Sequence, residues 1–286
     1  MRLIRHTASA AALAAALATA ASIPTLAQST APLDAGPGGA AAAPAPRARV
    51  GYLAPGTAPD ILKILLPPPA ENGVLDSADM AIFRSTRRFE GTPRWAIALR
   101  DNTLGTAALL SAFSCALDTT ITADEAPTLA RLISQSNVDA STASGHAKEV
   151  FGRKRPFQRE AGPVCLSTPE AERLARASSD YPSGHATASW MAGRVLAEVV
   201  PDRSTEILER ARTFGESRVV CGVHHATAVD AGRLTAEAVL AALHGVPAFR
   251  ADVETARDEV SRLRTAAKAR PDACAADAAA LAQRPY

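Results

Sequence analysis

Three short clusters in this chain have the residue types of an oxyanion site. The first is Lys148, then six residues, then Arg155-Pro156, inside "STASGHAKEVFGRKRPF". Arg155 could fork two phosphate oxygens, and Lys148 could add a point charge. Lysine is scarce elsewhere, with only Lys63, Lys154 and Lys268 besides Lys148. The second cluster is "YPSGH", ending at His185. Pro182 biases Tyr181 away from helix, so Ser183 and Gly184 are expected at a loop-to-helix junction. Free backbone N–H groups there bind anions, and glycine lets the backbone approach closely. The third is "SRVVCGVH", in which five residues separate Ser217-Arg218 from His224. Each cluster alone is a weak signal. The ordered set of three is not expected by chance.

The tetrapeptide SGHA occurs twice, ending at Ala147 and at Ala186. The flanking residues differ, so this is not a repeat architecture. The first copy lies inside a long helical pattern, where its N–H groups are already bonded and Gly145 is merely tolerated. His146 therefore reads as an ordinary helix residue. His225 reads as a packing residue beside His224, and His244 as a residue at a helix C-terminus. Asp76, Asp79 and Arg84 read as ordinary helix-entry charges.

The elements that must position these clusters are helical. The segment "ILKILLPPPA" is a short apolar run stopped by Pro67, Pro68 and Pro69, and a helical pattern begins near residue 76. Thr122 and Glu125 form a capping box that opens a long amphipathic helix through Leu129, Leu132, Ile133 and Ser136. Pro169 and Glu170 mark another helix start. "GHATASWMAGRVLAEVV" is helical and ends before Pro201, and Asp202 is expected to cap the next helix. "ATAVDAGRLTAEAVLAALHG" stops at Gly245. "RADVETARDEVSRLRTAAKA" gives a last amphipathic helix. Few alternating β-type runs occur, so the expectation is an all-α domain.

The chain has 286 residues, 47% hydrophobic and only 4% aromatic. So few aromatics argue against a base-stacking nucleic-acid surface. Residues 1–27 carry Arg2 and Arg5, an alanine- and leucine-rich stretch and a small-residue site at Thr25-Leu26-Ala27, the pattern of a cleaved signal peptide. Cleavage near Ala27 takes the formal net charge from +2 to zero. That balance supports neither nucleic acid nor an anionic membrane as partner. Residues 28–50 read as a disordered Ala/Pro-rich leader, 51–268 as the domain and 269–286 as a C-terminal tail. No later segment spans a bilayer, because "WAIALRDNTLGTAALLSAFSCAL" is broken by Arg100 and Asp101. The expected location is periplasmic or secreted, with no stable membrane insertion. Cys115, Cys165, Cys221 and Cys274 allow three complete disulfide pairings, and their spacing fits no zinc pattern.

The set K-x6-RP, PSGH and SR-x5-H resembles the signature of the type 2 phosphatidic acid phosphatase (PAP2) superfamily. With "LLPPPA", "YPSGH", "SRVVCGVH" and "VDAGR", the chain looks most like the bacterial class A non-specific acid phosphatases. The resemblance implies a helical bundle with a central phosphate site. It implies a metal-independent hydrolase of small phosphate monoesters, with no cofactor. His224 would be the nucleophile that becomes phosphohistidine, and His185 the acid and then the base. Lys148, Arg155 and Arg218 would bind phosphate oxygens with Ser183 and the Gly184 N–H. Related proteins are often homo-oligomers. One departure stands out. The family's third motif usually continues H-x3-D, its aspartate orienting the nucleophilic histidine, and here that position is Ala228. Thr227 is the candidate replacement on the same helix face. The competing readings are a lipid or isoprenoid diphosphate phosphatase, a vanadium haloperoxidase, and a catalytically weak phosphate-binding relative.

Overall fold

The computed structural model describes residues 50–265 and 274–286. The expected signal peptide and most of the leader lie outside the described residues. Among these, all regular structure is helical and no strand occurs, as expected. The helices are α1 (Ile61–Ile64), α2 (Val74–Thr86), α3 (Pro93–Arg100), α4 (Thr106–Leu117), α5 (Pro127–Phe151) and α6 (Pro156–Arg159). They continue as α7 (Thr168–Ala177), α8 (Gly184–Val199), α9 (Ser204–Val220), α10 (Ala226–Leu243), α11 (Pro247–Thr265) and α12 (Cys274–Leu281).

Helix α8 is the axis of the bundle, packed against α5, α9 and α10. It buries Met191, Ala192, Val195 and Leu196 among Leu132, Ile133, Phe214, Val239 and Leu240. Each fully buried Leu or Ile contributes about 1.5–3 kcal/mol relative to exposure. Small residues set how close the helices come. A Cβ on Gly193 would stand 2.4 Å from Ala211 Cβ, and one on Gly232 would stand 2.5 Å from the Ser183 carbonyl oxygen. Glycine at these two points lets α9 and α10 lie directly against α8.

Helix starts follow local chemistry where the cap is local. Ser167 and Glu170 form the capping box of α7. The Glu125 carboxylate does accept the Thr122 N–H and hydroxyl, but these bonds close a turn, and α5 begins only at Pro127. The reason is tertiary: the Glu259 carboxylate on α11 accepts the Thr128 and Leu129 N–H groups, taking the place of a local cap. Asp202 does not cap α9, whose N-cap is Arg203. Its carboxylate is drawn instead to Arg264 on α11. The helix α11 is not the last, since α12 follows and packs on α3. Two disulfides form, Cys115–Cys274 and Cys165–Cys221. No described helix is long and apolar enough to cross a membrane.

Candidate active site

Four parts of the chain meet at the N-terminus of α8. The first is the C-terminal turn of α5 with the start of α6, which brings Lys148 and Arg155. The others are the loop before α8, the end of α9 with the turn leading to α10, and the α3–α4 connection.

Ser183 is the N-cap of α8. Its hydroxyl accepts the Ala186 N–H at 3.4 Å, and its own N–H is given to the Ala228 carbonyl at 2.8 Å. The next N–H groups, at Gly184 and His185, begin the helix and have no partner four residues back. A Cβ on Gly184 would meet only Lys148 Cε at 3.8 Å and Ser144 Oγ at 4.0 Å, so the missing side chain leaves space beside the lysine. Ser144 Oγ is itself buried without a hydrogen-bond partner.

The three expected cations converge here. Lys148 Nζ donates to the Ser179 carbonyl at 2.6 Å. Arg155 donates to the carbonyls of Ser178 at 3.0 Å, Ser179 at 3.1 Å and Val223 at 2.8 Å. Arg218 donates to Asn102 Oδ1 at 2.9 Å, and its Nε is buried with no partner. Arg155 and Arg218 are almost fully buried. Most of their partners are neutral oxygens; among the described residues, none of the three forms a salt bridge with a carboxylate. Burial, and then the charge of Arg155, lowers Lys148 to about 7. Burial lowers Arg155 to about 10, and burial followed by the Arg155 charge lowers Arg218 to about 9. A buried cluster of positive charge held by neutral carbonyls is costly unless an anion joins it.

Both expected catalytic histidines are at this cluster. The His224 Nε2 faces Arg155 Nη1 at 2.9 Å. A guanidinium only donates, so Nε2 carries the lone pair and Nδ1 the proton. His185 Nε2 lies 3.0 Å from the Asn102 carbonyl oxygen. Both imidazoles are held well below their usual pKa. Burial is the main cause, followed by Arg218 for His185 and Arg155 for His224. His146, in contrast, is exposed on α5.

Several residues at the site were not singled out in the sequence. The Asp180 carboxylate receives His224 Nδ1–H at 3.0 Å and His225 Nδ1–H at 2.8 Å. No periodicity marks this loop aspartate. Asn102 touches both His185 and Arg218 from a connection that sequence patterning marks only as a break. Asp76 and Asp79 are not ordinary helix-entry charges. They are buried and grip Arg153, which also reaches Asp180 at 3.5 Å. Their spacing of three on α2 was the available signal. Thr227 is turned toward this network: its hydroxyl bonds Asp79 and receives Arg153 Nη1 at 2.9 Å. His225 packs, as expected, with Nε2 against Met80 Sδ at 3.4 Å. Among the described residues, no group of three or more His, Cys, Asp or Glu side chains is arranged to hold a metal ion.

Comparison with known proteins identifies the family. The sequence profile of the PAP2 superfamily matches residues 129–251, from α5 into α11, a span that includes Lys148, Arg155, Asp180, His185, Arg218 and His224 but not Asp76, Asp79 or Asn102. The chain is 40% identical over 208 residues to an acid phosphatase of Zymomonas mobilis, covering 73% of this chain and 78% of that one. It is 35% identical over 214 residues to a non-specific acid phosphatase of Providencia stuartii, covering 74% and 86%. It is 31% identical over 198 residues to a non-specific acid phosphatase of Salmonella typhi, covering 69% and 78%. The chain belongs to the PAP2 superfamily and, within it, to the acid phosphatases.

Proposed function

We propose that this enzyme hydrolyses small phosphate monoesters through a phosphohistidine at His224, without a metal ion. The observation that carries the reading is the convergence of Lys148, Arg155 and Arg218, none of them in a salt bridge with a carboxylate among the described residues, on two imidazoles held neutral and a helix N-terminus. Phosphoryl transfer asks mainly for positioning and for charges where the transferring oxygens sit. Three cations and the Gly184 N–H supply both.

In the first step the lone pair of His224 Nε2 attacks phosphorus. The N–P bond forms, the P–O bond to the alcohol breaks, and His185 in its protonated form gives the leaving oxygen its proton. In the second step a water attacks phosphorus, His185 takes the water proton, the N–P bond breaks and phosphate leaves. Burial and Arg218 keep His185 neutral in the empty site. A bound phosphate dianion offsets Arg218 and raises His185 toward the protonated form that the first step needs. The depressed His224 stays neutral, and so nucleophilic, in mildly acid solution.

We also infer export to the periplasm or beyond. Two disulfides support this, because such bonds persist in oxidising compartments.

The test is p-nitrophenyl phosphate hydrolysis from about pH 4 to 8, spanning the histidine range, with chelator present. His224→Ala and His185→Ala should lose turnover by on the order of 1,000-fold, while His146→Ala keeps it. Acid-labile phosphate trapped on wild type but absent from His224→Ala would mark the intermediate. Turnover that needs added metal, or that survives in His224→Ala, would sink the mechanism.

A further inference from the structure

We infer that Asp180 is the positioning carboxylate of His224, supplied from the loop before α8 rather than from α10, and that its second oxygen holds His225. The inference rests on the reading of His224 as nucleophile and adds how that ring is aimed.

Position 228 cannot do the work. The Ala228 side chain is a buried methyl group, and its carbonyl is already taken by the Ser183 N–H at 2.8 Å. Thr227 is committed to Asp79 and Arg153. Asp180, fully buried, meets the need in several ways. Its Oδ1 accepts His224 Nδ1–H at 3.0 Å and the His225 peptide N–H at 3.2 Å. Its Oδ2 accepts His225 Nδ1–H at 2.8 Å. The carboxylate cannot rotate without breaking these bonds. Its backbone N–H is tied to the Arg153 carbonyl at 2.8 Å, and Arg153 is anchored by Asp76 and Asp79 at 3.0 Å each.

Two consequences follow for the reaction. A carboxylate only accepts, so it fixes the proton on Nδ1 and leaves the Nε2 lone pair toward the phosphate site. When Nε2 bonds to phosphorus the ring becomes cationic, and a buried negative charge on its far side stabilises that cation.

The experiment compares Asp180→Ser, Ala228→Asp and the double variant. It reads kcat and KM on p-nitrophenyl phosphate, vanadate affinity and the His224 ring by nitrogen-15 NMR. Asp180→Ser should lower kcat by on the order of 100-fold while KM and vanadate affinity stay within about threefold. Returning the carboxylate through Ala228→Asp should recover at least about tenfold of that loss. A kcat within about threefold of wild type in Asp180→Ser overturns the inference. So does a loss in which vanadate affinity falls in parallel and Ala228→Asp restores nothing, since that is the signature of a merely structural residue. If Asp180→Ser does not fold, Asp180→Asn serves. It keeps the shape and loses the charge, so kcat should fall about tenfold or more, and an unchanged kcat overturns the inference. The NMR measurement separates this inference from the functional reading, because it needs no turnover. Arg155 on Nε2 keeps the proton on Nδ1 in either protein, so the NMR reads the Nδ1–H signal itself, its downfield shift and its protection from exchange, which report the bond to Asp180. A wild type without turnover whose Nδ1–H signal is downfield and protected, and is lost in Asp180→Ser, would defeat the phosphohistidine and leave the positioning intact. An Nδ1–H signal unchanged between the two proteins would defeat the positioning.

Discussion

At the scale of single residues, the site is governed by what burial does to charge. Lys148 makes the most direct prediction. Burial and Arg155 lower it to about 7, so it is charged below that pH and neutral above it. In the proposed mechanism the substrate dianion binds the charged form. As pH rises through 7 the free enzyme loses this cation, and KM should climb, by up to about tenfold per pH unit for one proton. Lys148→Arg carries a charge that does not titrate in this range, so its KM should stay flat from pH 7 to 9. Steady-state kinetics on both proteins check this, and an equal rise in the arginine variant would rule out the lysine as its source.

At the scale of elements, the catalytic turn depends on how α10 and the α3–α4 connection press on the start of α8. A Cβ on Gly232 would collide with the Ser183 carbonyl oxygen at 2.5 Å and approach the Thr187 N at 3.1 Å. These are backbone atoms and cannot swing aside. Gly232→Ala should therefore cost about 1–3 kcal/mol of stability and lower kcat, because the turn that shifts carries Gly184 and His185. Gly145→Ala, in the other SGHA copy, meets nothing within 4 Å. It should gain about 0.5–1 kcal/mol as a mid-helix replacement and leave kcat alone. Thermal melts and kcat of the two variants give the comparison. Asn102, from the α3–α4 connection, holds Arg218 with its side chain and His185 with its carbonyl. Asn102→Asp would set a carboxylate where a phosphate oxygen is expected. KM and the vanadate inhibition constant should both rise about tenfold or more, and unchanged values would show that Arg218 does not bind the substrate.

At the scale of the whole molecule, the two disulfides do different work. Cys115–Cys274 joins α4 to α12 across a sequence separation of 159 and lies away from the site. Replacing both cysteines with alanine should cost about 2–4 kcal/mol of stability with kcat retained. Cys165–Cys221 is reinforced by the Cys165 N–H on the Cys221 carbonyl at 3.0 Å, three residues before His224. Removing that pair should lower kcat as well as stability. Calorimetry with kinetics on each double alanine variant distinguishes the two, and equal kcat losses would contradict the assignment.

The sequence by itself determined the helical class, most of the helices and the residues that gather at the N-terminus of α8. Helical periodicity and capping are local, and so are the three clusters; Lys148, Arg155, Ser183, Gly184, His185, Arg218 and His224 could each be named from their neighbours in the chain. What only the tertiary structure decided were partnerships across distance. Glu259 starts α5 from 131 residues away, and Asp180 meets His224 across 44. Arg153 is drawn into a network with Asp76 and Asp79, and Asn102 comes to rest on His185 and Arg218. The physical reason is common to all four. A buried polar group must find a partner, and which partner it finds is set by how helices pack, which no local pattern encodes. His224 lies in the turn before α10 and not on the helix, so its neighbour Thr227 faces Asp79 and Arg153, and the fold brings Asp180 to the ring from the loop before α8.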